Sequence, residues 1–343
     1  MGNRRYLATL LTLAALLTGL FFLHLATGFH YFTKAHLIAV LLGGGTPEEV
    51  LTVFDFRMVR SILAVLIGMG LAVSGAVFQT ISKNELASPS LLGVNAGAAL
   101  GVMLLIYGTP QATGLGIWEQ PLAAVIGGAL AAGLVFFLSH ERGRMTSTYK
   151  LVLNGIAVTA GLHALQILLI VGLDPTRFQQ INTWLIGSIF GNSWTHVDIL
   201  FLVVLLITFF FLASHETLDL LALREENALG LGIRVNRTRF LFLMAAVVLA
   251  SSCVAVGGSI GFIGLICPHI ARRLVGVAHK RYLPVTALLG GVLLVAADYT
   301  ARVIIAPDEM LVGLIVSLIG APYFLYILVR SRGCLLYTSD AAD

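Results

Sequence analysis

Few side chains in this sequence have the spacing that catalysis or metal binding requires. The nine histidines include no HExxH motif and no histidine pair placed with a carboxylate at metal-ligand spacing. No serine can be matched to a histidine and an aspartate as a nucleophile, and the glycines at 43–45 precede no phosphate-binding lysine. The sequence therefore predicts no enzyme, no metal site, no cofactor held by this chain and no ATPase of its own.

Asp298 is the one clear carboxylate within an apolar segment. Arg302 follows one helical turn later, so the two side chains can form an ion pair. A carboxylate inside a membrane span serves either such a pair or a proton relay in an ion-coupled carrier. We expect the structural ion pair, and an ion-coupled secondary carrier remains the alternative.

A glycine-rich apolar segment at residues 257–283 has the composition of a broken membrane span. Its glycines let the backbone turn or approach another helix closely, and its proline lacks the N–H of a regular helix. A loop followed by a short amphipathic helix is the alternative. We expect a capping or packing role, rather than metal ligation, for the histidine. The residues singled out here are Gly258, Gly261, Gly264, Pro268 and His269.

The composition requires a membrane environment for most of the chain. Hydrophobic residues make up 58% of the sequence and charged residues 11%, whereas soluble domains carry about 25% charged residues. The net charge of +4 comes from basic residues scattered between apolar spans, with no basic stripe that would indicate nucleic-acid binding. Cys253, Cys267 and Cys334 show no metal-binding spacing, and we interpret them as small buried side chains.

Dividing the chain by apolar runs predicts an all-α membrane protein of about ten spans. The sequence similarity between residues 71–78 and 254–262 further predicts an inverted internal repeat, a common transporter architecture. The predicted spans lie near 6–27, 58–81, 91–107, 121–139, 150–172, 198–213, 238–256, 260–270, 284–304 and 311–330.

The distribution of basic residues predicts the orientation. With the amino terminus inside, five basic residues lie outside, which leaves the other 16 of the 21 lysines and arginines inside. This excess agrees with the positive-inside rule, so both termini should be cytoplasmic. The five outer residues are Lys34, Arg57, Arg60, Arg177 and Arg302.

The longest inside loop, residues 215–236, mixes apolar and charged residues at helical spacing. This pattern predicts two short helices, and the alternative is one amphipathic helix lying on the membrane surface. The residues that define the helices and their breaks are Leu218, Leu221, Ala222, Leu229, Gly230 and Gly232.

Several motifs occur together in one order, and the chain resembles the FecCD family, the permease subunits of bacterial ABC importers for iron-siderophores, haem and cobalamin. The signature-like run is residues 258–272, and the resemblance covers roughly residues 55–332. Val59, Glu85 and Leu311 stand where the family usually has proline, which puts local kinks in doubt. The other matching segments are 57–60, 83–97, 184–188, 297–298, 309–313 and 320–323.

The resemblance implies a permease subunit in the bacterial inner membrane that transports by alternating access. Its implied partners are two copies of an ATP-binding cassette ATPase, an extracytoplasmic substrate-binding protein and a second permease copy or paralogue. ATP is used by the partner ATPase. We expect an iron(III)-siderophore as substrate, with haem or cobalamin as alternatives, and a path near residues 154–165 and 313–319. A non-transporting membrane scaffold is a further alternative, but it would not need glycine- and proline-broken spans.

The resemblance also implies roles for particular residues. The loop at 215–236 would be the coupling element that sits in a cleft of the ATPase. Arg57, Arg60 and Arg302 would receive glutamates from the binding protein, since guanidinium holds a carboxylate bidentately. Anchoring to lipid phosphate is the alternative for these arginines. We interpret residues 1–332 as a single permease domain and 333–343 as a non-native tail.

Overall fold

The structure, a computed structural model, describes residues 3–28, 33–108, 118–139, 148–189, 191–223, 225–231, 234–306 and 308–336. All regular elements in these ranges are helices, which confirms the all-α fold class. A π-helical turn, Thr52–Met58, joins α3 to α4, and a 3₁₀ turn, Pro89–Leu92, precedes α5. The helices are α1 Asn3–Ala26, α2 Lys34–Leu41, α3 Pro47–Leu51, α4 Val59–Ser82, α5 Val94–Gly108, α6 Glu119–Ser139, α7 Thr148–Val171, α8 Pro175–Ile186, α9 Trp194–Ala213, α10 His215–Ala222, α11 Glu225–Gly230, α12 Val235–Gly257, α13 Ile263–Val275, α14 His279–Val303 and α15 Val312–Leu336.

Within the described ranges, seven helical segments are long and apolar enough to cross a membrane. Two shorter apolar helices, Val94–Gly108 and Val312–Ile327, fall at predicted spans. The predicted span at 260–270 corresponds to α13, whose 13 residues rise about 20 Å, less than the hydrocarbon thickness. Each predicted span thus has a helix, while the count of ten spans stays a prediction.

Helix α4 is the centre of the bundle. Nineteen of its 24 residues are buried, and it packs against α9, α12, α13 and α14. Small side chains make this possible, because helices in lipid associate by close packing rather than by the hydrophobic effect. Where α4 crosses α14, a Cβ on Gly68 would collide with the backbone of Gly290, and the reverse also holds. The two helices therefore touch through their backbones.

The break predicted in the glycine-rich motif lies before α13. Helix α12 ends at Gly257, and Gly258 has a φ of 72°, which turns the chain. A Cβ on Gly258 would meet the carbonyl oxygen of Trp184, so the residue is constrained by packing as well. Phe262 also has a positive φ, 62°, directly before α13 begins. Residues 258–262 thus form the break.

Contrary to the sequence-based prediction, Pro268 does not break the span. It lies inside the continuous helix α13. A proline cannot donate to the carbonyl four residues earlier, which here belongs to Gly264. The side-chain amide of Gln79 on α4 lies 3.5 Å from that oxygen and 3.3 Å from the oxygen of Leu265. This tertiary contact supplies donors near the gap in the helix.

Other predicted features fall on particular helices. Cys253 and Cys267 are buried, as predicted, and Cys253 packs next to Gly70 of α4. The side chain of Cys334 lies outside the described residues, as do residues 337–343 of the predicted tail. Helices α7 and α15 leave many of their large apolar side chains exposed.

The contact between α4 and α14 leads to the first prediction. We expect Gly68→Val to lower the free energy of unfolding of the detergent-solubilised protein by about 1–3 kcal/mol, and with it the melting temperature, because the new side chain must separate two touching backbones. Gly19→Val is the matched control, since a Cβ there has no atom within 4 Å. A melting temperature for Gly68→Val equal to that of the control, measured by fluorescence-detected size exclusion, would contradict the backbone contact.

Candidate functional site

The three arginines that the resemblance implies for binding-protein docking converge at one end of the bundle, here called the arginine end. Arg57, Arg60 and Arg302 line a cavity of about 320 Å³ together with Glu309. Arg57 and Arg302 are buried, although the sequence places both at the outer ends of apolar spans. Such burial of charge requires partners, because a desolvated guanidinium without hydrogen bonds is costly.

Asp298 is the centre of the polar contacts at this end. Its carboxylate accepts two hydrogen bonds from Arg60, 2.8 Å from Nε and 2.9 Å from Nη2, in a bidentate geometry. Nε2 of His24 lies 2.7 Å from the same carboxylate, and Nδ1 of His24 lies 2.7 Å from the hydroxyl of Ser61. Asp298 and His24 are both fully buried, so these bonds tie α1, α4 and α14 together.

The other two arginines bind the end of α1. Arg302 donates to the carbonyl oxygens of His24, at 3.3 Å, and Thr27, at 2.7 Å. Arg57 donates to the carbonyls of Leu25, at 3.0 Å, and Ala26, at 3.2 Å. The last carbonyls of a helix lack intrahelical donors and carry partial negative charge, so cationic side chains are favourable there.

Glu309 reaches into the cavity from the segment before α15. Its carboxylate accepts a hydrogen bond of 2.6 Å from Arg60 and lies 3.5 Å from Nε of Arg302. The side chain is 40% exposed, so it is accessible from outside the bundle. The arginine cavity therefore already contains one carboxylate of this chain.

One sequence-based expectation changes at this end. The predicted Asp298–Arg302 pair is replaced by Asp298–Arg60, while Arg302 pairs with Glu309. The helical spacing gave a possible local partner, but the partner that the fold supplies lies on another helix. Sequence reasoning also missed His24 and Glu309. A histidine inside the first apolar run was the available signal for His24, because ionisable side chains in spans are rare and usually paired.

The loop predicted to couple to an ATPase lies at the opposite end of the bundle, here called the α10 end. Two short helices, α10 and α11, occur in it as predicted, and α11 ends at Gly230. Leu218 and Leu221 are buried against the chain's own core, whereas Ala222 is exposed. The side chain of Leu229 and the whole of Gly232 lie outside the described residues.

His269 lies near the α10 end as a packed side chain. Its ring meets that of Tyr323 edge to face at a centroid distance of 6.0 Å, and Nδ1 lies 3.6 Å from the carboxylate of Glu85. Glu85 accepts a 2.6 Å hydrogen bond from Arg272. In the part of the chain that the structure describes, no group of three or more candidate ligands could hold a metal ion.

The bundle and its buried polar contacts define a multi-pass membrane protein. The family model of the FecCD transport family matches residues 16–330, and the chain belongs to this family, as the resemblance in its motifs indicated.

Known relatives and a solved structure extend over most of the chain. It is 39% identical over 321 residues to the iron(3+)-hydroxamate import system permease protein FhuG of Bacillus subtilis, spanning 92% of this chain and 95% of that protein. It is also 39% identical over 285 residues to the cobalamin import system permease protein BtuC of Halobacterium salinarum, spanning 83% and 75%. A solved inward-facing metal-chelate type ABC transporter is 30% identical, with a TM-score of 0.82 over 94% of this chain and 98% of that one.

The second prediction concerns Asp298. We expect Asp298→Asn to destabilise the protein by about 3–5 kcal/mol, because it removes the buried carboxylate that holds Arg60 bidentately and leaves only the partly exposed Glu309 as its counter-charge. The exposed neighbour Asp308 provides the control, Asp308→Asn. Thermal melting in detergent should also show that Asp298→Asn combined with Arg60→Gln is more stable than Asp298→Asn alone. Additive losses in the double variant would contradict a direct charge pair.

Proposed function

We propose that this chain is the membrane permease subunit of a binding-protein-dependent ABC importer for metal chelates. The observation that carries the proposal is the family match over residues 16–330, which includes both ends of the bundle. The transport energy would come from ATP hydrolysed by a separate ATPase. A copy of this chain would work with a second permease copy or a paralogue, two ATPase copies and an extracytoplasmic binding protein.

The substrate we propose is an iron(III)-siderophore of the hydroxamate class. It is supported by the similarity to FhuG, which matches 95% of that protein's length. Haem and cobalamin are the alternatives, because relatives named for them are 37% and 39% identical to the chain. A metal that is already wrapped in a chelator needs no ligands from the permease.

The arginine end would face outward in this proposal, and the α10 end would face the cytoplasm with both termini. The positive-inside count supports this orientation. A carboxylate from the binding protein would enter the cavity lined by Arg57, Arg60 and Arg302. Lipid-phosphate anchoring is the competing role for these side chains.

The α10 end would carry the ATPase contact. Because Leu218 and Leu221 are buried in this chain's own core, we propose that they anchor α10 and leave its exposed face, including Ala222, for the ATPase. Leu229, Gly230 and Gly232 would shape the second short helix and its end.

The remaining architectural proposals concern the whole chain. We propose ten spans in a bacterial inner membrane, one permease domain at 1–332 and a non-native tail at 333–343. The inverted repeat is supported by α4 and α12, each of which is followed by a break and a shorter helix. The exposed apolar faces of α7 and α15 support a path between two permease subunits.

An ion-coupled secondary carrier is the competing function. Asp298 would be its candidate proton carrier, but both oxygens of its carboxylate already accept hydrogen bonds from Arg60. This pairing favours the ATP-driven importer.

The third prediction tests the function directly. Proteoliposomes that contain the chain, a partner ATPase and a substrate-binding protein should take up a radioactive iron(III)-hydroxamate only when ATP is present. Haem and cobalamin serve as competitors that identify the substrate class. Uptake without the ATPase, driven by a proton gradient, would contradict the importer and favour the secondary carrier.

The fourth prediction tests docking at the arginine cavity. We expect Arg57→Gln to weaken binding-protein association at least tenfold, about 1.4 kcal/mol, and to make the remaining affinity less dependent on salt. Arg177→Gln removes the same charge from the predicted outer side, where Arg177 pairs with Asp174 at 3.3 Å, and should leave affinity unchanged. The affinities can be measured by biolayer interferometry in nanodiscs at low salt. Wild-type affinity in both variants would contradict the docking role.

A further inference from the structure

Three side chains connect the short helix α10 to the central helix α4. Oδ1 of Asp219 accepts a 2.6 Å hydrogen bond from Nδ1 of His279 and a 3.0 Å hydrogen bond from its backbone N–H. Nε2 of His279 lies 2.7 Å from the hydroxyl of Thr80 on α4. The chain Asp219–His279–Thr80, here called the inner bridge, thus joins α10, α14 and α4 in one line of short contacts.

The location of the bridge makes it costly to open. His279 and Thr80 are almost fully buried, whereas the side chain of Asp219 is 41% exposed. Separating Asp219 would leave a buried imidazole and a helix N-terminus without this acceptor, and a buried donor without an acceptor is costly. His279 is the first residue of α14, where a carboxylate is also favoured by the helix dipole. Displacement of α10 should therefore move α14 and α4 with it.

The apolar face of α10 strengthens the same connection. Leu218 and Leu221 are buried in the core to which α4 and α14 contribute. The end of α4 is further attached to α13, because Arg272 donates to Gln79 at 3.4 Å and to Glu85 at 2.6 Å. Three neighbouring helices therefore meet at the last turns of α4.

Helices α4 and α14, two of the three that the inner bridge joins, are also joined at the opposite end. Ser61 and Thr80 are separated by 19 residues of α4, about 29 Å along the helix axis. At the arginine end, Arg60 of α4 holds Asp298 of α14. Between the ends, Gly68 and Gly290 bring the two backbones into contact. The α4–α14 pair is thus fastened at both ends and in the middle, and it can move as one body.

We propose that Asp219 is a positioning residue that transmits displacement of α10 through His279 and Thr80 to the α4–α14 pair, and through that pair to the arginine cavity. This inference rests on the proposed function. The inner bridge would then be the mechanical link between the ATPase side and the docking side of the permease.

The test measures how many substrate molecules are transported for each ATP hydrolysed. Wild-type and variant complexes are reconstituted in proteoliposomes with radioactive iron(III)-hydroxamate, and uptake and phosphate release are measured together. We expect Asp219→Ala and Thr80→Val to lower the transport-to-ATP ratio at least fivefold, while the ATPase still co-purifies. Thr80→Ser keeps the hydroxyl and should stay within twofold of wild type.

A control variant and three contrary outcomes distinguish the proposed mechanical link from a general structural role of the inner bridge. Asp198→Ala removes an exposed carboxylate from α9 and should leave the ratio unchanged. An unchanged ratio in Thr80→Val, an equal loss in Thr80→Ser, or failure of Asp219→Ala to retain the ATPase would each overturn the inference. If the wild-type complex shows no ATP-dependent uptake, the proposed function itself fails, and that result is distinct from any variant effect.

Discussion

A carboxylate in the interior of a membrane-spanning bundle must keep its partners, and the organisation of this protein follows from that constraint. Asp298 is fully buried, and its charge is balanced by the bidentate Arg60 while His24 fills the remaining side. Because these groups belong to three helices, the charge pair can form only when α1, α4 and α14 are correctly assembled. A local electrostatic requirement thereby fixes a tertiary arrangement.

Close backbone packing is the second interaction that holds the helices of this protein together in lipid. With little hydrophobic force to drive helix association in a bilayer, contact between helices depends on surfaces that fit. Gly75 of α4 faces the backbone of Gly264 in α13, just as Gly68 faces Gly290 in α14. These contacts place α4 against the broken-span helix and against its antiparallel neighbour at once. These four glycines therefore serve as sites of rigid contact between helices.

The sequence predicted the features that depend on local composition. It did not predict the contacts made by residues that are distant in the chain. Apolar runs located the helices to within a few residues, since a span of about 20 residues must be apolar whatever surrounds it. Pro268 was expected to break a span, but Gln79, nearly two hundred residues away in sequence, supplies donors near the unpaired carbonyl. Asp298 was paired with its neighbour in the helix, and the fold gave it Arg60 instead. The apolar face of α10 was recognised, but only the packed structure identifies what covers it.

The π-helical turn at Thr52–Met58 has a consequence for the direction in which Arg57 projects. A π turn holds one residue more than an α turn, so the chain before it and the chain after it differ in angular phase. Arg57 lies in this turn and Arg60 lies just beyond it, yet both reach the same cavity. If the same residues instead formed a regular α-helix, the one extra residue would rotate everything upstream by about 100° relative to α4. The extra residue held in this turn therefore sets the direction of the segment before it relative to Arg60 on α4.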